Sequence, residues 1–577
     1  MKKKLLPALI VTGLIILVVI IMGITALINK YTPTKKTEDL KEYFNISSDD
    51  EAALIVDNEL SDYKAKIIDK KIYVDYKFVH DSLNSRFYWD ANENVLLYTT
   101  ASDIISAAAD SNSYSVTKQT NDFGYPIVKA TSDSALIALD YVKQYSNITF
   151  KSYDDPARIV ITSKWDEIDS ATVSNSTQVR VKGGIKSPIL KEVKKDDTIT
   201  ILDSGDKWDK VATEDGVIGY IKRKALSESK KTKLTNPDYE EETFTHIKKD
   251  KDICLAWNQV TSQSANSKVP QVISSTKGIN VMSPTWFYLN DNNGNLADIA
   301  SKDYVSYCHS QGIEVWGLFS NLENTDVDAA YVLTHTSTRT TLINQIMSAA
   351  FNYELDGVNI DFENITEAAY GDSYIEFIRE LSIKCHNNGI SLSVDVTVPA
   401  SFNKFFNRSD MAKFADYIVI MGYDEHYKGS DAGSVSSIPW VTEGVESTLK
   451  EVPADQIILG MPFYTRIWEL TPKEDDDAVT DTEDQSKYTV ASQVYSMDAA
   501  AAQLATNNAT AALDEESGQN YAEWSASNKL YKVWLEDSTS LEKRLKLVDD
   551  NKLAGAAFWK LGFENSSVWD TVIKYLD

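Results

Sequence analysis

The sequence predicts an α/β protein whose C-terminal part is a (β/α)8 barrel. From Asp252 onward, eight short apolar runs alternate with amphipathic helical stretches over about 325 residues, the pattern of a parallel barrel wrapped in helices. Residues before 250 lack that alternation and break into short β-rich pieces behind one long uncharged segment. A chain of 577 residues also exceeds what one core organises, so several domains are expected.

The elements follow in chain order. Met1 to Lys4 is a basic cap, and Leu5 to Ile28 runs without a charge. As a helix those residues span about 36 Å, enough for a bilayer core of roughly 30 Å. The apolar core of a cleaved signal peptide is shorter, about 7–15 residues. Residues 5–28 are therefore expected to be an uncleaved plasma-membrane anchor, with residues 1–4 cytoplasmic and everything after Asn29 outside. Residues 29–44, polar and proline-containing, read as a tether.

Residues 45–165 contain a weak duplication. Ile72 to His80, Leu83 to Trp89 and Val95 to Thr99 are echoed by Ala135 to Val142, Ser146 to Phe150 and Arg158 to Thr162. Each copy reads as a short helix, a strand, an acidic turn and a strand. Residues 170–228 are short alternating runs cut by Gly, Pro and Asp, with Trp208 near the middle and Gly219-Tyr220-Ile221 at the close, which predicts a small β-barrel. Lys222 to Lys233 is a basic, serine-containing run that leads into a linker at residues 229–248. The barrel occupies 249–577, its runs beginning at Ile253, Val281, Val315, Gly357, Ser391, Tyr417, Ile457 and Gly555. Trp468 to Tyr531 is a long acidic insertion after the seventh run.

Composition narrows the chemistry. A net charge of -27 argues against a nucleic-acid partner, since phosphate binding needs a basic surface. Cys254, Cys308 and Cys385 form no disulfide framework, and the six histidines stand singly, so neither a metal nor a cofactor is expected.

The fourth run, Leu355 to Asn364, alternates Val, Ile and Phe with Asn, Asp and Glu, the period of a strand. Asn359, Asp361 and Glu363 then share one face. A carboxylate beside a carboxyl raises its proton affinity, which is one way to make a general acid. An edge strand with its acidic face in water shows the same alternation, and the pattern alone leaves both readings open.

This run resembles the catalytic strand of glycoside hydrolase family 18, Asp-x-x-Asp-x-Asp-x-Glu. Asp356, Asp361 and Glu363 match it, and Asn359 replaces the second Asp. Met421-Gly-Tyr423-Asp424 resembles the family's Met-x-Tyr-Asp at the end of strand six, and Trp559 falls where the family keeps a tryptophan under the reacting sugar. The resemblance implies a TIM barrel with its site at the C-terminal strand ends. It makes Glu363 the proton donor, with Asp361, Tyr423 and Asp424 orienting an acetamido group that is itself the nucleophile. Asp356, Asn359, Met421 and Trp559 become substrate-binding candidates, and Trp286 and Tyr288 are further stacking candidates. Asn359 cannot share a proton as the family's Asp does, which bears on the pH optimum. The branch it resembles acts on spore cortex and cell wall.

Residues 45–165 resemble the repeat named after the N-terminal domain of copper amine oxidases, and 170–228 resemble bacterial SH3-like modules. Together these imply an anchored hydrolase of β-1,4-linked N-acetylglucosamine, with peptidoglycan as the nearest polymer. A catalytically silent wall-binding scaffold, or a chitinase or endo-N-acetylglucosaminidase for other glycans, stays open.

Overall fold

A computed structural model describes residues 5–363, 365, 368–473 and 484–576. The basic cap at 1–4 and residues 474–483 of the insertion lie outside these. The chain divides into two compact units: residues 1–89, 107–114 and 121–241, and residues 90–106, 115–120 and 242–577. The stretch expected to be one module at 45–165 is thus shared, with two short pieces grouping with the barrel.

The second unit is built on eight parallel strands: β1 (Ile253–Asn258), β2 (Val281–Leu289), β3 (Glu314–Ser320), β4 (Gly357–Asp361), β5 (Ser391–Thr397), β6 (Tyr417–Met421), β7 (Ile457–Pro462) and β8 (Gly555–Trp559). Each pairs with its sequence neighbour except across the insertion, where β7 pairs β8 directly, and β1 joins both β2 and β8 to close the ring. The strands are rich in Val, Ile and Leu because both faces are covered. One face packs inward as Leu255, Trp257, Trp316, Leu318, Val419, Ile458 and Ala557. The other packs on the surrounding helices, which include Lys302–Ser310, Thr336–Tyr353, Gly371–His386 and Ser538–Asn551.

Gly357 opens β4 because a Cβ there would lie 2.5 Å from the Trp316 ring; the glycine makes room for a tryptophan in the barrel's centre. The strand stops at Asp361, two residues short of Glu363, so the glutamate stands on the loop that leaves the barrel. The insertion begins four residues earlier than expected. Tyr464–Pro472 is the second strand of a five-stranded antiparallel sheet, in the order Tyr488–Ser496, Tyr464–Pro472, Lys529–Leu535, Gln519–Ala526 and Ala512–Asp514, with helix Met497–Thr506 against it. Trp534 packs against Tyr521 within that sheet, ring centroids 4.8 Å apart and planes tilted by 47°.

Behind the barrel lies a buried ionic network. Arg379, 3% exposed, donates to Asp410 at 3.0 Å and to Glu376 at 2.9 Å. Arg339 donates to Glu380 at 2.9 Å, and the Thr99 hydroxyl donates to Glu376 at 2.8 Å. Cys254, Cys308 and Cys385 are buried free thiols.

In the first unit, helix Leu5–Tyr31 is apolar and long enough to cross a membrane by length and composition. Within residues 45–165, two segments run as strand, helix, strand, strand: Lys71–Asp75, Tyr76–Ser82, Phe87–Asp90 and Val95–Thr99, of which the last strand belongs to the second unit, then Ala135–Ala138, Leu139–Gln144, Thr149–Tyr153 and Arg158–Thr162. The strands at 71–75 and 135–138 pair antiparallel. Residues 167–233 form a seven-stranded antiparallel sheet around Val179, Leu190, Ile199, Val211 and Ile221.

Candidate active site

Along β4 the three polar side chains sit at rising exposure. Asn359 is fully buried, Asp361 is 9% exposed, and Glu363 is exposed at the rim. The alternation that stacks them is the strand's own pleat. Glu363 is held beyond the strand by its backbone N–H, which donates to the Asn321 side-chain oxygen at 3.0 Å; Asn321 follows β3.

Asn359 has all four hydrogen-bonding positions filled. Its Oδ1 accepts from Trp257 Nε1 and Ser283 Oγ, each at 3.0 Å, and its Nδ2 donates to Ser393 Oγ at 3.0 Å and Asp395 Oδ1 at 2.7 Å. The oxygen and nitrogen ends of the amide are therefore distinguished by their partners. Asp395, 4% exposed on β5, is a third carboxyl under the site.

This crowding shapes the acidities. Burial pushes the Asp361 carboxyl well above the usual carboxylate range, and Asp395, Glu363 and Glu323 add to it. Asp395 is also raised well above that range by burial, which outweighs the Asn359 hydrogen bond. Desolvation raises Glu363, with Asp424 and Glu323 adding. A carboxylic acid kept protonated at a groove is what acid catalysis requires.

Tyr423 and Asp424 follow β6 and line the same groove as Glu363, together with Met421, Phe402 and Trp440. Asp424 has left-handed backbone geometry, φ 62°, tolerated by Asp at a tight turn. Its carboxylate accepts from the Tyr464 hydroxyl and lies 3.8 Å from Arg466, so the first strand of the insertion supplies part of the wall. Four aromatic rings follow one another at edge-to-face spacing: Trp559 to Trp257 at 6.0 Å, Trp257 to Tyr423 at 6.4 Å and Tyr423 to Tyr464 at 6.3 Å. Trp559 ends β8 half-buried.

The structure thus gathers Glu363, Asp361, Tyr423, Asp424, Met421 and Trp559 at the C-terminal mouth, and corrects three candidates. Asp356 precedes β4 at the opposite end, where its carboxylate takes His309 Nε2 and the Val315 N–H, each at 2.8 Å; it ties strands together at the barrel's foot. Trp286 is fully buried on the helix side, donating to Asn266 at 2.8 Å and packed on Tyr304. Asn359 lies beneath the groove, out of a sugar's reach. Tyr288 is half-exposed near the end of β2, in register with Ser320. Sequence reasoning did not single out Asp395, Asn321, Glu323, Ser283, Tyr464 or Arg466. Among the described residues no cluster of His, Cys, Asp and Glu could hold a metal.

Comparison with known proteins agrees with this geometry. Residues 319–564 match the model of the family Glycosyl hydrolases family 18. The chain is 24% identical over 301 residues to the uncharacterized glycosylase YvbX of Bacillus subtilis (strain 168), covering 49% of this chain and 81% of the relative. It is 25% identical over 287 residues to the cortical fragment-lytic enzyme of the same organism, covering 48% of this chain and 63% of that enzyme. The crystal structure of the Bacillus cereus spore cortex-lytic enzyme SleL has a similar fold, with a TM-score of 0.50 at 18% identity over 60% of this chain and 79% of that one.

Proposed function

We propose, from the match of residues 319–564 to the model of glycoside hydrolase family 18, that the chain is a membrane-anchored, retaining hydrolase of β-1,4-linked N-acetylglucosamine whose substrate is peptidoglycan. The observation that carries this reading is the grouping of Glu363, Tyr423 and Asp424 along one groove, above a buried Asp361.

Each residue has a part that its position supports. Glu363, raised in acidity range by desolvation, protonates the leaving glycosidic oxygen. The acetamido oxygen of the sugar then attacks the anomeric carbon, so no protein carboxylate needs to reach it. Asp361 holds the acetamido N–H, and Tyr423 with Asp424 fixes the group in line, a gain from proximity rather than from a stronger nucleophile. Trp559 forms the apolar floor beneath the ring. Exposed Phe402 (77%) and Tyr427 (56%) flank the groove and offer faces for further sugars.

The substrate assignment draws on two supports. The relatives that resemble this chain include a cortical fragment-lytic enzyme, and peptidoglycan bears acetamido groups on both of its sugars. Helix Leu5–Tyr31 supplies the anchor, with the remainder of the chain facing the wall. Purified peptidoglycan incubated with the full chain should yield new reducing ends, and Glu363→Gln should lower their rate by about 10²–10⁴-fold. Peptidoglycan that is bound but never cut would identify a wall-binding scaffold instead, and cutting of chitin oligomers alone would redirect the substrate.

A further inference from the structure

The barrel holds one more carboxyl than this chemistry uses. β4 and β5 run parallel with Asn359 against Ser393 and Ile360 against Val394, so the next step of the register sets Asp361 against Asp395. Both are buried, at 9% and 4% exposure, and Asp361 Oδ1 has no hydrogen-bond partner among the described residues. Asp395 Oδ1 instead receives the Asn359 amide N–H at 2.7 Å. That amide cannot turn over without cost, because Trp257 and Ser283 both donate to its oxygen. Burial raises both carboxyls, so the pair carries at most one charge, and the donor locked toward Asp395 places that charge there and the remaining proton on Asp361. The titratable groups facing the pair from neighbouring elements are Glu363 beyond β4, Glu323 after β3, Tyr423 after β6 and Tyr374 on helix Gly371–His386. All are acidic or phenolic, so nothing among them neutralises a second charge.

We propose that Asp395 and Asp361 share a single proton, with Asp395 the charged member at rest, so that the fifth strand supplies the proton partner that Asn359 cannot be. Asp395 is a positioning residue, buried beneath the groove and acting through Asp361. When Glu363 gives up its proton to the leaving oxygen, the Asp361 O–H turns to the new Glu363 carboxylate, while the original negative charge stays on Asp395. No proton enters or leaves the set in that step beyond the one delivered to the leaving group. The proposal rests on the hydrolase reading above.

The test compares wild type, Asp395→Asn, and the exchange variant Asn359→Asp with Asp395→Asn, each as the detergent-solubilised full chain. Two readouts are taken: kcat and KM against pH on a fluorogenic N-acetylglucosamine oligosaccharide, and unfolding by urea from pH 4.5 to 8. Asp395→Asn should lower kcat at least about tenfold with KM little changed, and move the alkaline limb of kcat/KM down by about one pH unit as a like charge is lost. The exchange variant, which returns a carboxyl beside Asp361, should recover most of both. A buried pair with raised proton affinity contributes its full stability below the unfolded carboxyl range and loses it as pH rises. Wild type should therefore lose more stability over that range than Asp395→Asn. An unshifted limb, or an exchange variant no better than Asp395→Asn, overturns the proposal, as does an equal pH slope in wild type and Asp395→Asn. If wild type cleaves nothing yet the slopes differ, the shared proton stands and the hydrolase reading falls. If cleavage occurs but limb and slope are unmoved, the reverse holds.

Discussion

Asn359→Asp alone restores the family's residue, yet the structure predicts that it destabilises the barrel, and increasingly so as pH rises. The substitution replaces the Nδ2 that donates to Asp395 at 2.7 Å with an oxygen that can only accept when ionised. Three buried carboxyls, at 359, 361 and 395, then meet with one donor fewer. If the new carboxyl stays protonated at pH 7, holding that proton costs at most about 4 kcal/mol, from roughly three pH units above an unfolded value near 3.9 at 1.36 kcal/mol each. Trp257 and Ser283 donate to this position before and after the substitution, so their bonds cancel in the difference and about 4 kcal/mol stands as the upper bound. A carboxyl whose folded proton affinity is raised adds no penalty below its unfolded value, and the penalty grows as pH climbs through the folded one. Urea unfolding followed by tryptophan fluorescence, with Trp257 beside the substitution, reads the difference from wild type between pH 4 and pH 8. A deficit that is absent, or as large at pH 4 as at pH 8, would refute the reasoning that Asn359 is there as a donor to Asp395.

Three other outcomes follow from the same structure. Arg379→Met leaves Glu376 buried without its cation and Asp410 with only half-exposed Lys413 at 3.4 Å, and Arg379 is the largest influence that holds the Asp410 carboxyl low against burial; unfolding should show a loss of about 3 kcal/mol. Gly357→Ala drives a methyl into the Trp316 ring at 2.5 Å, an overpacking of about 1–3 kcal/mol that denaturant unfolding would register. The alkaline limb of kcat/KM should lie above the ordinary glutamic range of about 4.3, because Glu363 must be protonated and desolvation, Asp424 and Glu323 all raise it; a limb at the ordinary value would mean that Glu363 is not the donor.

The barrel was legible in the chain because buried parallel strands appear as short Val/Ile runs between helical stretches, and those at 417–421 and 555–559 fall where they were expected. The rim residues were legible through motif spacing and strand period. Asp395 was not, since Ser391 to Asp395 looks like any half-polar strand until the register places it beside Asp361. Asp356 misled because it precedes the pleat and so faces the other end of the barrel, despite standing five residues from Asp361. Trp286 misled because it projects to the helix side of β2, whereas Ser283 projects inward. Tyr464 and Arg466 belong to a sheet whose fold back onto Asp424 is long-range, which no local pattern encodes.

In the proposed chemistry the sugar carries its own nucleophile into a groove where Glu363 supplies only the proton. The most direct measurement of that chemistry is kcat/KM for two otherwise identical glycan oligomers, one N-acetylated at the reacting sugar and one bearing a free amine there. The N-acetylated oligomer should be cleaved and the amine left intact, since removing the acetamido group removes the attacking oxygen. Comparable cleavage of both would contradict it.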